Sequence, residues 1–397
     1  MISKKYGMDL VDNLLEVSVI GSFSKIGFGI RSKMYNYSLD YLDTSVKSTI
    51  DQNQGASPVT RLQSSESPIS SIKKKPVAVI TGFSSGIGLV TALSLARHGW
   101  QVIGIASNKE RCHNALRTIR LASGPDGNLS ESGENQDFLY DTHSDNRNII
   151  PPDPLASYGI TADISSLADV KAAAGFIGKN THHISLIVHC AGKIYTKLTM
   201  TPEGFESTFA LHVLGPHLLT NLLLEMMGSD PEIKDYTDSS SEYIPRIIWV
   251  SSGGMYGVKL DVDRLFNPYG YRYKSVVTYA YAKRMQVELA EIWAARLATK
   301  NCLAFSMHPG FVDTRAIQDG IPVFTKIMKP LLRNSAQGAD TILYLSMLGK
   351  SVDLKSMNGS FFLDRKPRRT SFLRKTISPI SQKISAFEAV EKIFLTA

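Results

Sequence analysis

Residues 77–88 read VAVITGFSSGIG. The first five form a short apolar run of the kind a buried parallel strand shows. Three glycines follow, spaced Gly82-x-x-x-Gly86-x-Gly88, and then LVTALSLARHGW carries apolar residues at helical spacing. A strand, a glycine turn and a helix make a cradle for a pyrophosphate. The first glycine permits a tight turn, and the later ones let backbone and phosphate approach closely. The helix start offers free N–H groups and a positive dipole end. The spacing differs from the commoner GxGxxG fingerprint.

The same alternation continues outward. QVIGIA predicts a strand, 109–121 a helix, ITADIS a strand, 166–179 a helix and SLIVHCAG a strand. A long helix is expected over 203–227, then strand RIIWVSS, a helix from TYAYAK at 278, strand LAFSMHPG, a helix near 335–348 and a strand near 359–363. Strands alternating with helices predict an α/β fold, a Rossmann-type doubly wound parallel sheet with helices on both faces. The expected organisation is a single catalytic domain over 76–365. An N-terminal extension and linker (1–75) precede it, and a basic C-terminal tail (366–397) follows. Residues 122–156, polar with a PPDP cluster, are expected as an inserted loop.

The chain has 397 residues, 43% hydrophobic and 20% charged, as in an ordinary globular protein. Its formal charge of +8 is concentrated near the ends, with eight Lys/Arg against two Glu from Arg365 onward. Such an end is usually a solvated surface, and it also suits an anionic lipid or another acidic partner. No nucleic-acid motif is present. Three scattered cysteines argue against a disulfide framework and fit a reducing, cytoplasmic compartment. No CxxC or HExxH pair points to a metal. No window holds 18 uninterrupted apolar residues. Leu14 to Ile30 is rather apolar and is expected as an appendage helix, packed on the core or lying on a membrane or lipid-droplet surface.

TYAYAK at 278–283 carries the chemistry. On a helix Tyr279 and Lys283 share a face, whereas Tyr281 points elsewhere. An ammonium beside a phenol favours the phenolate, so Tyr279 is a candidate general acid/base. The pair alone fits an ordinary half-exposed face as well.

Together these segments resemble the short-chain dehydrogenase/reductase superfamily. TGFSSGIG matches its TGxxxGxG cofactor turn, and Tyr279-AYA-Lys283 its catalytic YxxxK. SSGG at 251–254 supplies its serine, HPGFVDT at 308–314 its PGxxxT-like segment, and TADIS its adenine-side aspartate. The resemblance implies Ser252, Tyr279 and Lys283 as catalytic residues. It implies a nicotinamide cofactor held by Gly82, Ser84, Ser85, Gly86, Ile87, Gly88, Ser107, Asn108, Asp163, Ile164, Ala191, Gly192, Pro309, Gly310 and Thr314, together with Tyr279 and Lys283. It also implies a homodimer through the helices at 203–227 and 278–298.

Two departures stand out. The family's NNAG is His189-Cys190-Ala191-Gly192 here, and its helix asparagine is replaced by His212. That asparagine helps hold a water linking the lysine to solvent. Imidazole can also donate or accept, so His212 is assigned the relay role. His217 and His308 are left as structural. After QVIGIA the chain reads Ser107-Asn108-Lys109 with Arg111 beyond, and no acid holds a ribose 2′-OH. Hydroxyl, amide and basic groups favour NADP(H) over NAD(H).

The expected function is hydride transfer between a nicotinamide and a carbonyl or alcohol. Tyr279 would exchange the proton, Lys283 lower its pKa, and Ser252 orient the substrate oxygen. The apolar stretch IPVFTKIMKPLL within 315–335 and the tyrosines of 255–277 border the site. They point to an apolar aldehyde or ketone, such as a lipid-, retinoid- or steroid-like compound. The alternative is a catalytically weak nucleotide-binding sensor or scaffold.

Overall fold

A computed structural model of the chain describes residues 23–35, 75–123, 138–144, 155–228, 233, 243–349 and 353–396. The linker before Lys75 and most of the insert lie outside the described residues. Nine strands form one sheet: β1 Val77–Thr81, β2 Gln101–Ala106, β3 Leu139–Asp141, β4 Tyr158–Thr161, β5 Leu186–His189, β6 Arg246–Val250, β7 Leu303–Met307, β8 Phe361–Leu363 and β9 Lys366–Arg368. Their order is β3-β4-β2-β1-β5-β6-β7-β8-β9. Every neighbouring pair is parallel except β8–β9.

The central strands are buried throughout, which is why they are continuous apolar runs with no alternation. Two hydrophobic cores lie on opposite faces of the sheet. α1 (Lys25–Met34) comes from the N-terminal extension. One face carries α2 (Gly86–Arg97) and α3 (Lys109–Ser123); the other carries α4 (Leu167–Asn180). The helix expected at 203–227 is α5, built from Ser207–Phe209, a π-helical turn Ala210–Leu214 and Gly215–Leu223. α6 (Val262–Phe266) precedes α7 (Ser275–Leu297), which holds TYAYAK and packs beside α5. Two short helices follow β7: α8 (Arg315–Gly320) and α9 (Pro322–Met328). α10 (Ser335–Met347) packs on α2, and α11 (Ile380–Thr396) ends the described chain. The chain runs from β1 outward to β3 and β4, then returns to β5 beside β1. The crevice between the carboxyl ends of β1 and β5 is therefore the topological switch point.

Two expectations change. The insert is loop by its composition, but Leu139–Asp141 adds a parallel edge strand to β4; Tyr140 is buried and stacks on Phe176. The basic tail folds onto the body. Asp364 and Arg365, both at positive φ, turn the chain into the β8–β9 hairpin. In α11, Ala386, Phe387 and Val390 share a buried face. That helix lies across α5 and α7, the helices of the expected homodimer. Phe387 meets Trp293 and His217 edge-on, and Glu391 bonds His217 and Asn221. Of the N-terminal extension, residues 23–35 pack on the body, one of the two placements expected for that segment. Arg31 of α1, fully buried, pairs with Asp364 at 2.9 Å, and Asp364 also takes Arg333 at 2.6 and 3.0 Å.

Candidate active site

Most of the expected residues converge on one cleft of about 740 Å³ at the switch point. Its floor is the glycine turn. Gly82 has φ +72°, and a Cβ there would stand 2.8 Å from the Cα of Ala191. A Cβ on Gly88 would collide with the carbonyl oxygen of Gly82, so the helix can start against the turn only if 88 is glycine. Ser85 is the N-cap of α2 but makes no side-chain capping bond, and the first turn holds no acid. The first N–H groups of α2 are thus left for an anion. Thr81 Oγ1 accepts from the N–H groups of Cys190 and Ala191, both at 3.1 Å, and ties the ends of β1 and β5 together. These features fit a dinucleotide.

Ser84, Ser85, Gly86, Ile87, Ser107, Asp163, Ile164, Gly192, Pro309, Gly310 and Thr314 also line the cleft. Asn108 does not. Its Oδ1 accepts from the N–H of Arg111 and caps the start of α3. Arg111 lines the cleft instead, while Lys109 is drawn to Asp141 of β3 at 3.2 Å. Asp163 Oδ1 accepts from the backbone and hydroxyl of Ser165, both at 2.8 Å, which orders the turn after β4.

Ser252 stands at the end of β6, and Tyr279 and Lys283 one turn apart on α7; all three line the cleft. The Ser252 hydroxyl acts on Tyr279 to favour its phenolate, the direction a serine beside a phenol gives. The expected lowering of Tyr279 by Lys283 does not occur. Desolvation pushes the phenol up to about 12, against the opposing influence of the Ser252 hydroxyl. Burial also brings Lys283 down to about 7, so the amine carries only part of its charge near neutral pH. Its Nζ is 5.5 Å from the centre of the Tyr279 ring. The cation meant to favour the phenolate is itself weakened by the same enclosure.

His212 departs from its expected role. It is fully buried in the π turn, and its Nε2 meets the carbonyl of Lys193 at 2.9 Å. Desolvation first, then Lys283, hold its pKa well below the ordinary value, so the ring is neutral. It stands edge-on to Tyr279 at 5.2 Å and under Gly192. It shapes the wall. The partners of Lys283 Nζ are Val250 O at 2.8 Å and Gln286 Oε1 at 3.0 Å, not the imidazole. Sequence reasoning missed Gln286 and gave Cys190 only as a departure; Cys190 also lines the cleft, its thiol pushed up to about 12 by burial. His189, in the first asparagine position, is neutral and bonds Thr220 Oγ1 at 2.8 Å beneath the sheet end.

The segment 309–314 is held from an unexpected quarter. The N–H of Phe311 donates to the carbonyl of Phe23, and Arg333 Nε to that of Ser24. Phe23 packs against Gly253, next to Ser252, and edge-on to His308 and Phe311. The short segment before α1 therefore buttresses two walls of the cleft. Among the described residues no cluster of three or more His, Cys, Asp or Glu could hold a metal ion.

Known proteins share this layout. A crystal structure of an uncharacterised protein from Mycobacterium paratuberculosis superposes with a TM-score of 0.53 at 22% identity, over 80% of this chain and 92% of that one. The family model for short chain dehydrogenase matches residues 76–131. A mouse protein named retinol dehydrogenase 14 is 26% identical over 72% of this chain and 77% of its own length. The bovine dehydrogenase/reductase SDR family member 12 is 30% identical over 79% of this chain and 85% of its own. With the glycine cradle, the serine and the tyrosine–lysine pair all at the switch point, the chain belongs to the short-chain dehydrogenase/reductase family.

Proposed function

We propose that the chain transfers a hydride between NADP(H) and the carbonyl or alcohol carbon of an apolar small molecule. The observation that carries this is the convergence of Ser252, Tyr279 and Lys283 on one cleft beside the glycine turn, with the lysine one helical turn beyond the tyrosine. Ser252 Oγ and the Tyr279 hydroxyl together hold the substrate oxygen. Tyr279 gives that oxygen a proton in reduction and takes it back in oxidation. Its raised pKa keeps it protonated in the free protein, the state a reductase needs. Lys283, held at Nζ by two acceptors, lines the same cleft and would bond the nicotinamide ribose. The bound nicotinamide supplies or accepts the hydride.

Arg111 on the cleft wall, where the second strand ends, supports NADP(H). Ile194, Leu211 and Ile317, which line the same cleft, support an apolar substrate, as a relative named for retinol does. In α9, Val323 and Ile327 are 72% and 71% exposed, so this lid-like segment presents apolar surface outward. Ile26 and Ile30 between Lys25 and Lys33 on α1 make a second such stripe, and support work at an anionic lipid surface. Flotation with anionic and neutral liposomes tests this; equal recovery from both would dispose of it. Because α11 lies on α5 and α7, the catalytic unit is read as one chain. Sedimentation as a dimer would overturn that.

The central test is turnover of NADPH with aldehydes and ketones of graded chain length, beside Tyr279→Phe. The variant should bind nucleotide and lose at least ~10²-fold in kcat. Wild-type kcat in the variant would end the assignment.

A further inference from the structure

A lysine carries its amine on a flexible four-carbon stem, and something must aim it. Gln286, three residues along α7 and fully buried, touches Lys283 Nζ with Oε1 at 3.0 Å. Its Nε2 donates to the backbone carbonyl of His212 at 2.8 Å. A backbone carbonyl only accepts, so the carboxamide must turn its NH2 to His212 and its oxygen to the amine. The carbonyl it serves lies in the π turn Ala210–Leu214. A π turn interrupts the regular hydrogen-bond ladder, and a buried carbonyl there needs a partner.

We propose that Gln286 is the positioning residue for Lys283: its carboxamide bridges the amine to the π-turn carbonyl with protein atoms and fixes Nζ toward the cleft. The bridge rests on Lys283 having the role assigned above. It has one chemical consequence. A water between amine and carbonyl could pass a proton by reorienting, whereas an amide holding one acceptor and one donor in fixed directions cannot. Protons reach Lys283 from the cleft and not through the interior. Three titratable groups face Nζ: Tyr279 from the same helix, Cys190 from the end of β5 and His212 from the π turn.

The test follows the 13Cε resonance of Lys283 against pH in lysine-labelled protein, assigned with Lys283→Met. Gln286→Met removes the acceptor and should move the titration midpoint down. Gln286→Glu sets a carboxylate in its place and should move it up by about 1–3 units. Opposite displacements would support the bridge, and a midpoint unmoved in both would overturn it. If Gln286→Met does not fold, the isosteric Gln286→Glu carries the test alone. Turnover is read in parallel, with kcat of Gln286→Met expected to fall on the order of 10²-fold at a little-changed carbonyl KM. A wild type without turnover but with displaced midpoints would reject the reductase assignment and keep the bridge. Wild-type turnover with unmoved midpoints would reject the bridge alone.

Discussion

Asp364→Asn should be among the most damaging single changes in the molecule, although residue 364 lies outside the cleft. Asp364 is the shared counter-ion of two buried guanidiniums, Arg31 and Arg333, each 0–1% exposed. Burial alone would raise its carboxyl. Arg333 and then Arg31 overcome that and hold it below the ordinary range. The triad carries one net positive charge, and asparagine would leave two with no anion. Asparagine tolerates the left-handed backbone at this position, where φ is +49°, so the turn itself is spared. Removing the partner of a buried ion costs about 3–5 kcal/mol. At ~2 °C per kcal/mol for a large domain, the melting temperature falls by about 6–10 °C. Arg31→Met is the control. It leaves Asp364 and Arg333 as a neutral, doubly bonded pair and should cost less than about 2 kcal/mol. Calorimetry of both variants measures the difference. An Asp364→Asn protein that melts within a degree of wild type, or above Arg31→Met, would refute the reasoning.

Gly88→Ala puts a methyl against the Gly82 carbonyl and should weaken nucleotide binding by about 10–100-fold, read by fluorescence titration. Unchanged affinity would mean that α2 can retreat from the turn. Arg111→Ala should weaken NADPH binding by several-fold more than NADH binding; equal effects would remove Arg111 from the 2′-phosphate. His189 and His308 are neutral in the fold, each held down to about 3 by burial, whereas the unfolded chain protonates them below about 6.5. Their contribution is fully present above that pH and declines as pH falls toward 3. The slope is about 1.4 kcal/mol per pH unit for each, and urea unfolding at pH 7, 6 and 5 measures it; a flat profile would contradict the assignment.

The sheet, the glycine cradle and the Ser252–Tyr279–Lys283 trio were legible because each rests on local periodicity or a short motif. β3 was not, since three residues inside a polar stretch give no period, and only the apolar Phe138-Leu139-Tyr140 marks it. The C-terminal helix was hidden by its charges. Its basic residues dominate the composition and mask Ala386, Phe387 and Val390, which stand at the spacing of a packed face. Gln286 reads as one more polar residue on a helix. Its meaning comes from a π turn 74 positions earlier, and no local pattern announces such a contact. The pKa of Tyr279 escapes the sequence for a related reason: the spacing to Lys283 can be read, but the burial that sets the sign cannot.

The contact between Arg31 and Asp364 joins positions 333 residues apart. Closing so long a loop in an unfolded chain costs about 5 kcal/mol of entropy, against about 3 kcal/mol once the body stands and only the chain between Tyr35 and Lys75 has to close. The helix made first is therefore housed last. The buttress of the walls around Ser252 and Phe311 is thus completed only when Asp364 has left the ribosome, among the last residues of the sheet to do so.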